Sequence, residues 1–183
     1  MTKKYACTLL FCLLTGCLAP QGESFEVTDY RNTTAVGLPV GKIQVVNQTV
    51  RYPELPHLET RIPISPVSAL STALSNRFTA QTDNPQLTAT FLIKNAELTE
   101  KKQTSDHWYV YDNIEYLLDY KIEVVYRHGD QTLLQQEVAG WEKKAIPQRS
   151  TLWEKERAWS QMLNAMIKKT TAKIEADIPQ EKL

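Results

Sequence analysis

With 183 residues, 21 Lys+Arg against 21 Asp+Glu, 42% hydrophobic and 23% charged residues, the chain has the size and balance of one ordinary globular domain. These fractions exclude wholesale disorder and low-complexity repetition. The zero formal charge, without any run of four Lys or Arg, argues against a nucleic-acid partner, because displacing counterions from a duplex needs a basic stripe.

The N-terminal segment carries the most specific signal. Lys3 and Lys4 precede the run Tyr5 to Leu14, in which only Thr8 is not apolar. A transmembrane helix needs roughly 18 to 20 apolar residues, so this run is too short to span a bilayer. Two lysines, about ten apolar residues and then small residues follow the order of a secretory signal peptide, assigned to residues 1–16. Leu14-Thr15-Gly16-Cys17 resembles the lipobox of bacterial lipoproteins. That resemblance implies that Cys17 becomes the first mature residue, with a diacylglycerol on its thiol and an acyl group on its amine. Two or three acyl chains, at about 0.8 kcal/mol per buried methylene, anchor a domain where one would not. Leu18 follows the Cys where inner-membrane members have Asp, which points to the outer membrane, facing the periplasm.

Cys7 and Cys12 fall in the segment removed and Cys17 is consumed by lipid, so the mature chain has no thiol for a disulfide, a nucleophile or zinc. Without Lys3 and Lys4 the charges are 19 basic and 21 acidic, and 19 − 21 = −2. A domain so nearly neutral has no overall electrostatic pull toward anionic headgroups. Residues 17–41 read as the lipidated Cys and a flexible tether, polar and without sustained periodicity, of which Phe25-Glu26-Val27 is the part suited to docking. Residues 42–183 read as a single periplasmic α/β domain.

Within it, Lys42 to Tyr52 is rich in β-branched residues and reads as a strand. Pro53, Pro56, Pro63 and Pro66 punctuate an extended path. Ser65-Pro66 starts a helix, with a hydroxyl cap and a proline at the first position. Val67, Leu70, Leu74 and Phe78 make its apolar stripe, and Asp83-Asn84-Pro85 closes the segment. Leu87, Ala89, Phe91 and Ile93 alternate along a second strand, followed by a polar connection from Thr99 to Asp112. Ile114, Tyr116, Leu118, Tyr120, Ile122, Val124 and Tyr126 then occupy one parity, with charged residues on the other, predicting a strand with one wet face. His128-Gly129-Asp130 turns the chain into a partner strand from about Gln131 to Lys144. Thr151 and Glu154 form a capping box for a helix to about Asp177, with Leu152, Trp159, Met162, Leu163, Met166, Ile167, Thr170 and Ile174 on one face. The order β-α-β-β-β-α predicts an α+β fold: a two-layer sandwich with a mostly antiparallel, four-stranded sheet and two helices on one face.

Little of this suggests chemistry. His57, His107 and His128 are far apart and lack metal-ligand spacing, so no metal is expected. There is no phosphate-binding glycine motif and no nucleophile elbow. Glu115, Asp119 and Glu123 share a strand face at about 6.6 Å steps, but Lys121 and Arg127 share it too, which is the pattern of a solvated surface. No enzyme and no cofactor beyond the covalent lipid on Cys17 are expected. Trp108, Tyr109 and Tyr111, at the end of the polar connection, are candidates for partner binding, with packing on the domain as the alternative. Trp159 belongs to the helix core stripe, whereas Trp153 lies off it.

A lipobox followed by a hairpin and a long C-terminal helix is similar to the lipopolysaccharide-assembly lipoprotein and other small periplasmic α/β lipoproteins, over about residues 42–178. The resemblance implies an accessory subunit of an envelope assembly or lipid-transport complex, held to the membrane by its anchor and meeting an envelope protein partner. A carrier of an apolar ligand is the alternative, and fold alone does not choose between them.

Overall fold

A computed structural model describes residues 25–50, 57, 58, 61–104 and 112–178. In chain order the elements are β1 (Val36–Leu38), β2 (Lys42–Asn47), α1 (Pro66–Arg77), β3 (Phe78–Ala80), β4 (Leu87–Gln103), β5 (Asn113–His128), β6 (Gln131–Pro147) and α2 (Leu152–Ala176). The main sheet runs β2-β4-β5-β6, with β2 parallel to β4 and the other neighbours antiparallel. Both helices pack on one face of it, which makes the expected α+β two-layer arrangement.

The parity of β5 decides which face that is. Ile114, Tyr116, Leu118, Tyr120, Ile122, Val124 and Tyr126 are all buried, and α2 lays Trp159, Met162, Leu163, Met166, Ile167, Thr170 and Ile174 against the same layer. Tyr116 and Trp159 meet edge-on at 5.7 Å between ring centroids, a favourable arrangement for two quadrupoles. The capping box at the start of α2 is complete: Glu154 N–H donates to Thr151 Oγ1 at 3.3 Å, and Thr151 N–H donates to Glu154 Oε2 at 2.7 Å. At α1 only the one-way cap is made, the Ser65 hydroxyl accepting from Ser68 N–H at 3.2 Å. In the β5–β6 turn Gly129 takes φ 58°, a left-handed value that glycine adopts without a Cβ clash.

Several expectations are corrected. Residues 25–41 are not part of a tether but belong to the domain: Leu38 and Val40 are fully buried, and β1 pairs in parallel with β3. Apolar side chains spaced irregularly through a polar segment carry no periodic signal, yet Phe25, Val27, Tyr30 and Val36 all pack on the core. Strand β4 continues to Gln103, so residues 99–103 of the supposed connection are paired with β5. The cause is a β-bulge between Ile93 and Asn95, which moves the inward set from Ala89, Phe91 and Ile93 to Ala96 and Leu98. Strand β2 stops at Asn47, α1 ends at Arg77, and β6 runs on to Pro147. Leu152, placed on the buried stripe by spacing, is 64% exposed in the first turn of α2.

Candidate functional site

The outer sheet face carries the carboxylates that sequence spacing brought together. Each faces a partner across the strands. Glu115 lies 2.8 Å from Lys143 Nζ and accepts from Gln103 Nε2 at 2.6 Å. Glu123 lies 2.9 Å from Lys94 Nζ and also accepts from Gln135 Nε2. Asp119 accepts from Asn95 Nδ2 at 3.3 Å, and Lys121 reaches Glu137 at 2.7 Å. Opposite charges on neighbouring strands stabilise a sheet modestly, and this face reads as an ionic ladder. His57 lies 4.0 Å from Glu97 at a bridge to Thr99, while His128 is exposed at the hairpin turn. Among the described residues no group of three His, Cys, Asp or Glu is placed to hold a metal ion.

Strand β6, 17 residues long, is the edge of the main sheet and pairs on one side with β5. Its outward residue Trp141 is 65% exposed opposite Asp119. On the inward side, Gly140 stands opposite Tyr120, whose ring crosses the strand so closely that a Cβ on Gly140 would sit 2.6 Å from Tyr120 Oη. An open groove of about 650 Å³ lies beside this pair, bounded by β6 residues 137–143, Lys169 and Lys173. Lys169 Nζ donates to Glu142 at 2.6 Å, and that contact raises the Lys169 pKa. Burial, with a further contribution from Glu142, raises the Tyr120 pKa. The groove is thus crossed by an ion pair and does not resemble an apolar ligand cavity. Glu137, Glu142, Lys143 and Lys144 place charges on both faces of β6, which discourages indiscriminate pairing along the edge.

A second constellation, absent from sequence reasoning, joins the N-terminal strap to the helices. The Glu26 carbonyl accepts from the Ser160 hydroxyl and from Asn164 Nδ2 at 3.1 Å, and Thr28 N–H donates to Asn164 Oδ1 at 2.6 Å. Tyr30 Oη lies 3.0 Å from Thr171 Oγ1, and Asn76 Nδ2 donates to the Asp29 carbonyl at 2.8 Å. Arg77 closes the assembly: Nε donates to Glu175 Oε1 at 2.7 Å, Nη1 donates to the Thr34 carbonyl at 2.9 Å, and the guanidinium lies 5.1 Å above the Tyr30 ring. The Glu175 hydrogen bond raises the Arg77 pKa. Tyr30 has φ 58°, a strained value for a residue with a Cβ, held in place by these contacts. Sequence signals for this strap were limited to the apolar residues Phe25 and Val27, because its bonds are made to residues 43 to 141 positions away.

Cys17, Trp108, Tyr109 and Tyr111 lie outside the described residues. The connection that contains the three aromatics leaves β4 and returns at Asp112, whose carbonyl accepts from Gln148 N–H at 2.9 Å, so both its ends are at the end of the sheet where α2 begins. Among the described residues no helix is long and apolar enough to cross a membrane.

No family model matches the chain, and no curated protein matches it. Among solved structures it is similar to a minor lipoprotein from Acinetobacter baumannii, at 10% identity and a TM-score of 0.42 over 76% of this chain and 94% of that one. It is also similar to the rare lipoprotein B from Shewanella oneidensis, at 13% identity and a TM-score of 0.40 over 74% and 97% of the two chains. An uncharacterised lipoprotein B from Nitrosomonas europaea follows at 14% identity and a TM-score of 0.36, over 79% and 94%. A functional reading of this chain therefore rests on its own residues.

Proposed function

We propose that the chain is a lipid-anchored outer-membrane lipoprotein facing the periplasm, acting without catalysis as an accessory subunit of an envelope assembly or lipid-transport complex. The observation that carries this reading is the lipobox Leu14-Thr15-Gly16-Cys17 directly after a short apolar run. The outer-face carboxylates support a non-catalytic role, because Glu115 and Glu123 are each occupied by a lysine. Partner contact is assigned to Trp108, Tyr109 and Tyr111, with exposed Trp141 on the β6 edge as a further anchor, since aromatics supply much of the energy of protein interfaces.

Photo-crosslinking in intact envelopes tests the partner assignment. A crosslinking residue at position 108 or 141 is expected to trap one discrete envelope protein, whereas one at Lys42, at the far edge of the sheet, is not. A chain that yields no adduct from either position is not an accessory subunit that works through these surfaces. Palmitate labelling tests the anchor. Label is expected on the native chain and lost in Cys17→Ser, and label that persists in the variant would show that another residue carries the lipid.

A further inference from the structure

The strap runs beside α2 in one direction. Glu26 meets Ser160 and Asn164, Thr28 meets Asn164, and Tyr30 meets Thr171, so the strap ascends as the helix does. The first described residues of the strap, Phe25 and Glu26, therefore lie beside the N-terminal half of α2. Phe25 and Glu26 border a depression with Glu156, Arg157 and Ser160, and Trp153 continues that stripe at helical spacing: 153, 157, 160 and 164 share one face. Ser160 is seven residues, or about 10 Å, from Trp153 along the helix. Eight Cα steps separate Cys17 from Phe25, and at roughly 3.6 Å per step the lipid-bearing residue stays within about 29 Å of the docked strap.

The end of the domain that lies within this reach has an unusual surface. Leu152 is 64% exposed and Trp153 is 40% exposed, side by side in the first turn of α2. The Arg157 guanidinium lies 5.4 Å above the Trp153 ring, and Arg149 is exposed in the preceding turn. The nearest carboxylate in sequence, Glu154, is engaged in the capping box with Thr151. An amphipathic indole with an aliphatic neighbour and flanking guanidiniums suits the boundary between headgroups and acyl chains, where the rings sit at headgroup level and the arginines remain with the phosphates.

We propose that Leu152 and Trp153, flanked by Arg149 and Arg157, rest on the phospholipid bilayer that holds the acyl chains of Cys17, so that the strap and the first turn of α2 set the orientation of the domain on the membrane. The proposal rests on the lipid-anchor reading above. One lipid-modified residue fixes a distance but no orientation, whereas a short leash together with a second contact fixes both. The outer sheet face and the β6 edge then stay clear for protein.

The test uses the acylated chain in vesicles of phosphatidylethanolamine and phosphatidylglycerol whose acyl chains carry bromine near the headgroup. Tryptophan emission is expected to be quenched in the native chain. The quenched component should disappear in Trp153→Phe and persist in Trp108→Phe and Trp141→Phe, and Leu152→Glu should reduce it at least twofold. Flotation with the vesicles is read in parallel. A chain that floats yet keeps its quenching in Trp153→Phe, or shows none at all, overturns the membrane contact and leaves the anchor standing. A native chain that does not float overturns the anchor and, with it, the contact.

Discussion

Two buried tyrosines show how single residues shape the response of this fold to pH. Burial pushes the Tyr126 hydroxyl up to about 12, and burial, helped by Glu100, does the same for Tyr116. In the unfolded chain both ionise from about 10. Their contribution to stability is therefore fully present below pH 10, falls between 10 and 12 where only the unfolded chain releases the proton, and is lost above that. The slope is about 1.4 kcal/mol per pH unit for each. Guanidinium midpoints from pH 9 to 12 are expected to fall accordingly, and Tyr126→Phe to lose its share of the slope. Near neutral pH that same variant is expected to be more stable by about 1 kcal/mol, because Tyr126 Oη has no hydrogen-bond partner among the described residues and phenylalanine buries none. A midpoint lowered at pH 7 would show that the hydroxyl is satisfied in solution.

At the scale of elements, the cross-strand pair of Tyr120 and Gly140 ties β5 to the edge strand. The glycine leaves room for the ring to cross β6, and the ring covers a strand position that has no side chain of its own. Gly140→Ala is expected to destabilise by about 1 to 3 kcal/mol through overpacking. Adding Tyr120→Leu removes the clashing atoms, so the double variant should recover part of the alanine's cost, as a double-mutant cycle in denaturant would reveal. Equal, additive losses would mean that the ring does not occupy this position. The β4 bulge is a second device at this scale: one extra residue lets Ala96 and Leu98 face the same core as Phe91 and Ile93, and β4 can then stay paired with β5 along its whole length.

For the whole molecule, the decisive joint is Arg77, which binds the end of α1 to α2 and to the strap at once. Charge-assisted hydrogen bonds of this kind contribute about 1.5 to 3 kcal/mol. Arg77→Leu is expected to lose about that much, and the loss should be local. Amide exchange would rise through residues 25–41 and change little in β5, which lies between two strands. Uniform loss of protection would show that the strap and the sheet unfold as one unit. On the proposed lipid-anchor reading, the same variant should also loosen the orientation of the domain on the membrane.

The alternation in β5, the stripe of α2 and the capping box are all legible in the sequence, because each is written in neighbours a few positions apart. The fold class follows from them, since a sheet with one apolar face requires a covering layer. What only the tertiary structure decided depends on residues far apart in the chain. The bulge at Ile93 breaks the period on which a strand is recognised, so residues 99–103 of β4 read as part of the connection. The burial of Leu38 and Val40 is invisible in a segment with no repeat, and the strap exists through bonds to Asn164 and Thr171. Leu152 fits the stripe by spacing yet is exposed, because periodicity assigns a residue to a face of its helix but does not determine how far along the helix that face is covered.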